Sequence, residues 1–125
     1  MSFDYLRVDD TLAINADQIE RYSGDEGKLD PGLLDAALFR PQTGCYPTLI
    51  DEAAALRESL SQNHPFVDGN KRTAFASTYV FFAINLLDIT ATDAETQNFG
   101  LGICDTSRAA FENMRGWLRD NTKVL

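Results

Sequence analysis

Nine consecutive residues, His64-Pro65-Phe66-Val67-Asp68-Gly69-Asn70-Lys71-Arg72, gather the one histidine of the chain, a carboxylate, a glycine turn and two adjacent cations. They precede a strongly apolar helical stretch, so the turn from Gly69 to Arg72 falls at a helix N-terminus. Such an end presents backbone N–H groups and the positive end of the helix dipole, which together cradle anions. Gly69 lets the backbone approach the anion closely. Lys71 and Arg72 add full positive charge, Arg72 as a planar fork that matches phosphate oxygens. Asp68 would repel a bare phosphate, but it fits a site where a hard divalent cation bridges one carboxylate to the phosphates, as magnesium does. His64, at the loop entrance, is placed to act as general base toward an attacking hydroxyl.

Taken singly, most of these residues have structural explanations. Asp68 and Asn70 are common N-cap residues, Gly69 is a common turn residue, and Phe66 suits a core plug that anchors the loop. Lys71 and Arg72 are harder to explain locally, because cations in a first turn oppose the dipole and call for a partner anion.

The elements that must position this loop read as successive helices. Asp9 or Asp10 can cap a first helix running to about Tyr22, with Leu12, Ala16 and Ile19 at helical spacing and Ser23-Gly24 as its stop. Asp30-Pro31 starts a second, with Leu34, Ala37 and Leu38 on one side, ending at Arg40-Pro41. Residues 41 to 48 form a connecting loop. Pro47-Thr48 opens a third helix whose Leu49, Ala53, Leu56 and Leu60 share a face, leaving Asp51, Glu52, Arg57 and Glu58 on others, and which ends near Asn63. In Lys71 to Leu87 the apolar residues point almost all round, which places that helix at the centre. Asp88 to Ala91 is briefly extended at most. Thr92-Asp93-Ala94-Glu95 has the form of a capping box for a fifth helix. A last helix from about Ser107 to Asp120 offers Phe111, Met114, Trp117 and Leu118 to the core. No alternating pattern of useful length indicates a sheet, so the fold class is all-α.

With 125 residues, 44% hydrophobic and 24% charged, the chain suits a single domain spanning residues 1 to 125. Its net charge of -8 repels a polyphosphate backbone, so no direct nucleic-acid binding is expected. The N-terminus carries acids where a secretory signal places basic residues. The most apolar stretch, Ala74 to Leu87, is interrupted by Ser77, Thr78 and Asn85 and is shorter than the roughly 18 to 20 residues of a membrane span. Cys45 and Cys104 lie in no metal-binding pattern and are expected to be free thiols in a reducing cytoplasm. One histidine cannot build a zinc site of two or three imidazoles.

The segment 64–72 resembles the signature of the Fic/Doc superfamily, of the form H-x-F-x-D/E-G-N-x-R. The resemblance extends over nearly the whole chain. Ile19-Glu20-Arg21-Tyr22, Leu33 to Leu38 and Tyr46-Pro47-Thr48 are similar to the small Doc (death-on-curing) branch. It implies a six-helix bundle around a central buried helix that handles ATP and magnesium. His64 would activate a protein hydroxyl, and Asp68 would bind magnesium. Gly69, Asn70 and Lys71 would line the anion cradle, Arg72 would contact nucleotide phosphate, and Phe66 would only anchor the loop. Doc proteins are toxin halves of bacterial toxin and antitoxin pairs.

Two positions depart from the AMP-transferring Fic branch, whose pattern is G-N-G-R-x-x-R: Lys71 stands where that branch has Gly, and Phe75 where it has a second Arg. Lysine crowds the usual α-phosphate position, and the missing Arg removes a phosphate clamp. The Doc branch shares the lysine and is a kinase class that phosphorylates a threonine of elongation factor Tu, arresting translation. Phosphate transfer is therefore the expected reaction, AMP transfer the alternative, and a non-catalytic antitoxin-binding module the second alternative. Many Fic proteins carry an inhibitory helix, S/T-x-x-x-E-G/N. Here Ser107 and Glu112-Asn113 are one residue too far apart, which rotates the Glu about 100° off the required face. An inhibitor in trans, a Phd-like antitoxin with a segment that folds on binding, fits better.

Overall fold

The computed structural model describes residues 3–25, 27–90 and 108–124. Their order is α1 (Val8–Tyr22), α2 (Pro31–Phe39), a 3-10 turn (Arg40–Thr43), α3 (Leu49–Gln62), α4 (Asn70–Ile84), β1 (Leu87–Ile89), α5 (Arg108–Asp120) and β2 (Thr122–Val124). The architecture is mostly helical, as the periodicity predicts. The predicted helix from Thr92, Cys104, and Ser107 of the inhibitory-helix comparison lie outside the described residues, which hold five α-helices.

Local chemistry sets the helix starts. At α2, the Asp30 side chain accepts from the Leu33 N–H at 3.1 Å and Pro31 takes the first helical position, where no N–H is needed. At α3, the Thr48 hydroxyl oxygen accepts from the Asp51 N–H at 3.1 Å. The start of α1 differs from expectation. Arg7 is the residue before the helix, and Asp10 sits one turn in, its carboxylate accepting from the Arg7 N–H at 2.8 Å. Asp10 thus supplies the reaching-back half of a capping box rather than the cap. The chain also continues past α2 as a 3-10 turn, so part of the expected 41–48 loop is helical and Pro41 is buried within it.

The most deeply buried helix is α3, not the predicted Lys71 to Leu87. Eleven of its fourteen residues are buried, including the expected Leu49, Ala53, Leu56 and Leu60. Consecutive alanines 53 to 55 let α4, α5 and the 3-10 turn pack around it from several sides. Asp51, Glu52 and Arg57, expected on faces other than the apolar one, are therefore buried too. Charge survives there because it is met: Arg115 reaches Asp51 at 3.5 Å and the Tyr5 hydroxyl donates to Glu52 at 2.6 Å. On α4, by contrast, Tyr79 is half exposed.

A small two-stranded sheet begins in the stretch expected to be briefly extended. Leu86 adopts a left-handed φ of 66°, which ends α4 short of Leu87, and β1 then pairs antiparallel with β2 in the register Leu87↔Val124, Asp88↔Lys123 and Ile89↔Thr122. Two strands of three residues are too short to show an alternating pattern, and the pairing joins residues more than thirty positions apart.

The Tyr5–Glu52 bond makes a pH prediction. It pushes the Tyr5 phenol from 10.0 up to about 12, chiefly through that hydrogen bond, while burial raises the Glu52 carboxyl. A raised folded-state value means the phenol contributes stability that is complete below pH 10 and lost as pH rises toward 12. Wild type is expected to lose more stability across that window than Tyr5→Phe, which melts lower at neutral pH. Parallel melting curves read both; equal losses would remove the bond from the stability of the fold.

Candidate functional site

The 64–70 loop is shaped by its own side chains before any ligand is considered. Phe66 is fully buried, the anchor its sequence context predicts. Asn70 closes the loop on itself, its side chain accepting from the Phe66 N–H at 3.0 Å and donating to the Phe66 carbonyl at 3.1 Å. The Asn70 side-chain amide is thereby committed to the loop backbone. Residues 27 to 30 run antiparallel alongside. Leu29 N–H donates to the Pro65 carbonyl at 2.9 Å, and Val67 N–H to that of Gly27 at 3.0 Å.

Gly69, rather than Asp68 or Asn70, is the residue that caps α4. Its φ of 70° is left-handed, and a Cβ there would lie 3.0 Å from Ile19 Cδ1 and 3.3 Å from Arg72 Nη2. Conformation and space both demand glycine. The carboxylate of Asp68 folds back over this turn. Its Oδ1 accepts from the Gly69 N–H at 3.1 Å and its Oδ2 from the Asp25 N–H at 3.4 Å, while a Cβ on Gly24 would come within 2.9 Å of Oδ2.

Asp68, Gly69 and Arg72 thus meet around the first turn of α4, with Lys71 half-buried beside them. His64 stands at the loop entrance, exposed, with a left-handed φ of 50° and no hydrogen bond among the described residues. Such backbone in a non-glycine residue concentrates at functional sites. The donor set suits a shared cation. No group of three or more His, Cys, Asp or Glu able to hold a metal occurs among the described residues, so Asp68 would hold magnesium together with phosphate oxygens and water. On the Arg72 side, Nε is buried with no hydrogen-bond partner. An open depression of about 720 Å³ between α1 and the 24–25 turn is lined by Asp17, Glu20 and Asp25 and has the wrong charge for phosphate.

Sequence reasoning missed the residues that hold this arrangement from α1. Asn15 is fully buried and joins three segments: it donates to the Asp68 carbonyl at 3.0 Å and to Thr73 Oγ1 at 3.1 Å, and accepts from the Gly27 N–H at 3.3 Å. The buried stripe of α1 is Thr11, Asn15 and Ile19, so of the expected Leu12, Ala16 and Ile19 only Ile19 is fully inside. A readable signal existed, since Asn15 falls three residues after Leu12 and four before Ile19, a polar side chain on an apolar face. Tyr22 and Ser23 contact Arg72, and Gly24 leaves room for the Asp68 carboxylate, roles that the helix stop at 22–24 does not announce. Phe75, one turn beyond Lys71, packs edge to face on Trp117 at 6.4 Å beneath the buried Arg57 guanidinium, 4.9 Å from its ring.

Comparison with known proteins agrees with this geometry. The Fic/DOC family model matches residues 5–82. Toxin Doc of Mycolicibacterium smegmatis (strain ATCC 700084 / mc(2)155) is 43% identical, over 70% of this chain and 69% of the relative. Protein kinase doc of Escherichia phage P1 is 27% identical, over 86% of this chain and 95% of the relative. A signature loop clamped at the head of α4, a family model matching more than half of the chain and two relatives whose names both contain Doc lead to one assignment: the chain belongs to the Fic/Doc family, in its Doc branch.

Proposed function

We propose that this protein is a Doc-type toxin that transfers the γ-phosphate of ATP to a threonine or serine hydroxyl of a target protein, with elongation factor Tu as the expected target. The observation that carries the choice of phosphate over AMP is the packing of Phe75. The position where the AMP-transferring pattern has its second arginine is filled by a ring set between Trp117 and Arg57, so no side chain there reaches a phosphate. The name of the phage relative, a protein kinase, points the same way.

In this reading the His64 imidazole takes the proton of the target hydroxyl as its oxygen bonds to the γ-phosphorus. The bond from phosphorus to the β,γ-bridging oxygen breaks and ADP leaves. Arg72 and the N-terminus of α4 would hold phosphate oxygens, and Asp68 would hold magnesium, whose charge would offset that of the phosphates. Glu112, one residue out of register for the inhibitory motif, is exposed on α5, which supports restraint by a separate antitoxin, Phd-like in kind, binding over the loop. No helix among the described residues is long and apolar enough to cross a membrane; a target in the translation machinery would put the reaction in the cytoplasm.

The test is incubation of purified protein with elongation factor Tu, magnesium and ATP labelled at either the α or the γ position. Label is expected on the factor from γ-labelled ATP only; α-label on it would establish AMP transfer instead. Lys71→Gly, which reopens space at the helix N-terminus, is expected to lower γ-transfer. Exchanging Phe75 for Arg as well is unsuited to this test, because it sets a second guanidinium against buried Arg57 and empties a ring-sized space.

A further inference from the structure

The guanidinium of Arg72 is held before any phosphate arrives. It lies over the Tyr22 ring, 5.2 Å from the centroid, and its Nη2 donates to the Ser23 carbonyl at 3.1 Å. Ser23 has φ 68° and ψ 165°, a backbone region that is in practice reserved for glycine, and in this conformation its carbonyl accepts from Arg72. Tyr22 is 48% exposed and contributes little to the core. Arg72 Nε meanwhile is buried with no hydrogen-bond partner, so one edge of the fork is engaged and another donor is unused.

We infer that Tyr22 and Ser23 are positioning residues that pre-orient Arg72 for nucleotide phosphate, Tyr22 through its ring face. The inference rests on the reading of Arg72 as a phosphate ligand. A long, flexible arginine loses rotamer freedom when it binds an anion, and a platform that has already removed that freedom strengthens the later contact. Ring and cation attract because the face of an aromatic ring is electronegative. The phenol hydroxyl has no part in this, so phenylalanine must serve equally well.

Calorimetric titration with the magnesium complex of β,γ-imido ATP, a form that cannot pass on its γ-phosphate, tests this on the full chain. Tyr22→Ala is expected to weaken binding about 3- to 30-fold, the range of one cation–π contact, with its melting temperature unchanged. Tyr22→Phe should bind as wild type does. In an Arg72→Ala background, Tyr22→Ala should have no further effect, since its influence passes through the arginine. Wild-type affinity in Tyr22→Ala, or equal weakening by Phe and Ala, would overturn the inference. So would a loss that persists without Arg72, because the ring would then touch the nucleotide itself. If Arg72→Ala alone leaves affinity unchanged, the phosphate role of Arg72 falls too, a result distinct from failure of Tyr22 with Arg72 still required.

Discussion

Replacing His64 with alanine is expected to lower transfer to the target by about 10²- to 10⁴-fold, the usual loss of a general base, while nucleotide affinity stays close to wild type. The separation follows from the site. His64 is exposed and makes no hydrogen bond among the described residues, so its side chain supports neither the loop nor the cradle. The loop is held by Phe66, Asn70 and Asn15, all left in place. The left-handed backbone at 64 makes His64→Asn a useful second variant: asparagine tolerates that conformation and cannot serve as the base. Both variants should be inactive with unchanged melting curves. In cells, neither should arrest growth. If His64→Ala arrests growth as wild type does, the helical domain acts by binding alone, and the phosphotransfer reading loses its main support. If nucleotide affinity collapses instead, His64 is a ligand and another group takes the proton.

Much of this site was legible because its parts are adjacent in sequence. A helix start, a glycine turn and two misplaced cations within nine residues can be read by local rules alone. The supports come from elsewhere and leave weaker traces. Asn15 lies more than fifty residues before the Asp68 carbonyl and the Thr73 hydroxyl that it binds, and periodicity sees it only as a gap in an apolar stripe. The Arg72 platform is invisible for the same reason, since Tyr22-Ser23-Gly24 has all the marks of an ordinary helix stop. Burial was misjudged where composition misleads. Aromatic residues all round α4 suggest the centre, but the small side chains of α3 let neighbours close in, and an ion pair and a hydrogen bond across the fold allow Asp51 and Glu52 to follow their helix inside, while Arg57 lies over the Phe75 ring. The β1–β2 pair depends on contact between residues near 88 and near 123, which local pattern cannot supply.

Asp68→Asn should leave the fold intact and raise the magnesium requirement of transfer, or abolish transfer outright. The sequence alone credited Asp68 with a capping role, which would have made any change there a risk to α4. The structure assigns the start of α4 to Gly69, whose carbonyl accepts from the Thr73 N–H at 2.8 Å, and the Asp68 side chain is exposed. What the carboxylate does is accept from two backbone N–H groups, at 3.1 and 3.4 Å. An asparagine oxygen can keep the shorter one, so stability should fall by no more than about 1 kcal/mol. The charge is a different matter. A carboxylate is the ligand magnesium takes from proteins in phosphate sites, and a neutral amide oxygen is a poor replacement. Loss of the ligand itself should exceed the ~10- to 100-fold effect of removing an outer-shell partner. The comparison is therefore a magnesium titration of γ-label transfer beside a thermal melt, for wild type and Asp68→Asn. A high-magnesium rescue with a normal melt would place the cation on Asp68. An unfolded variant would return Asp68 to a structural role, and an unchanged magnesium curve would put the metal elsewhere.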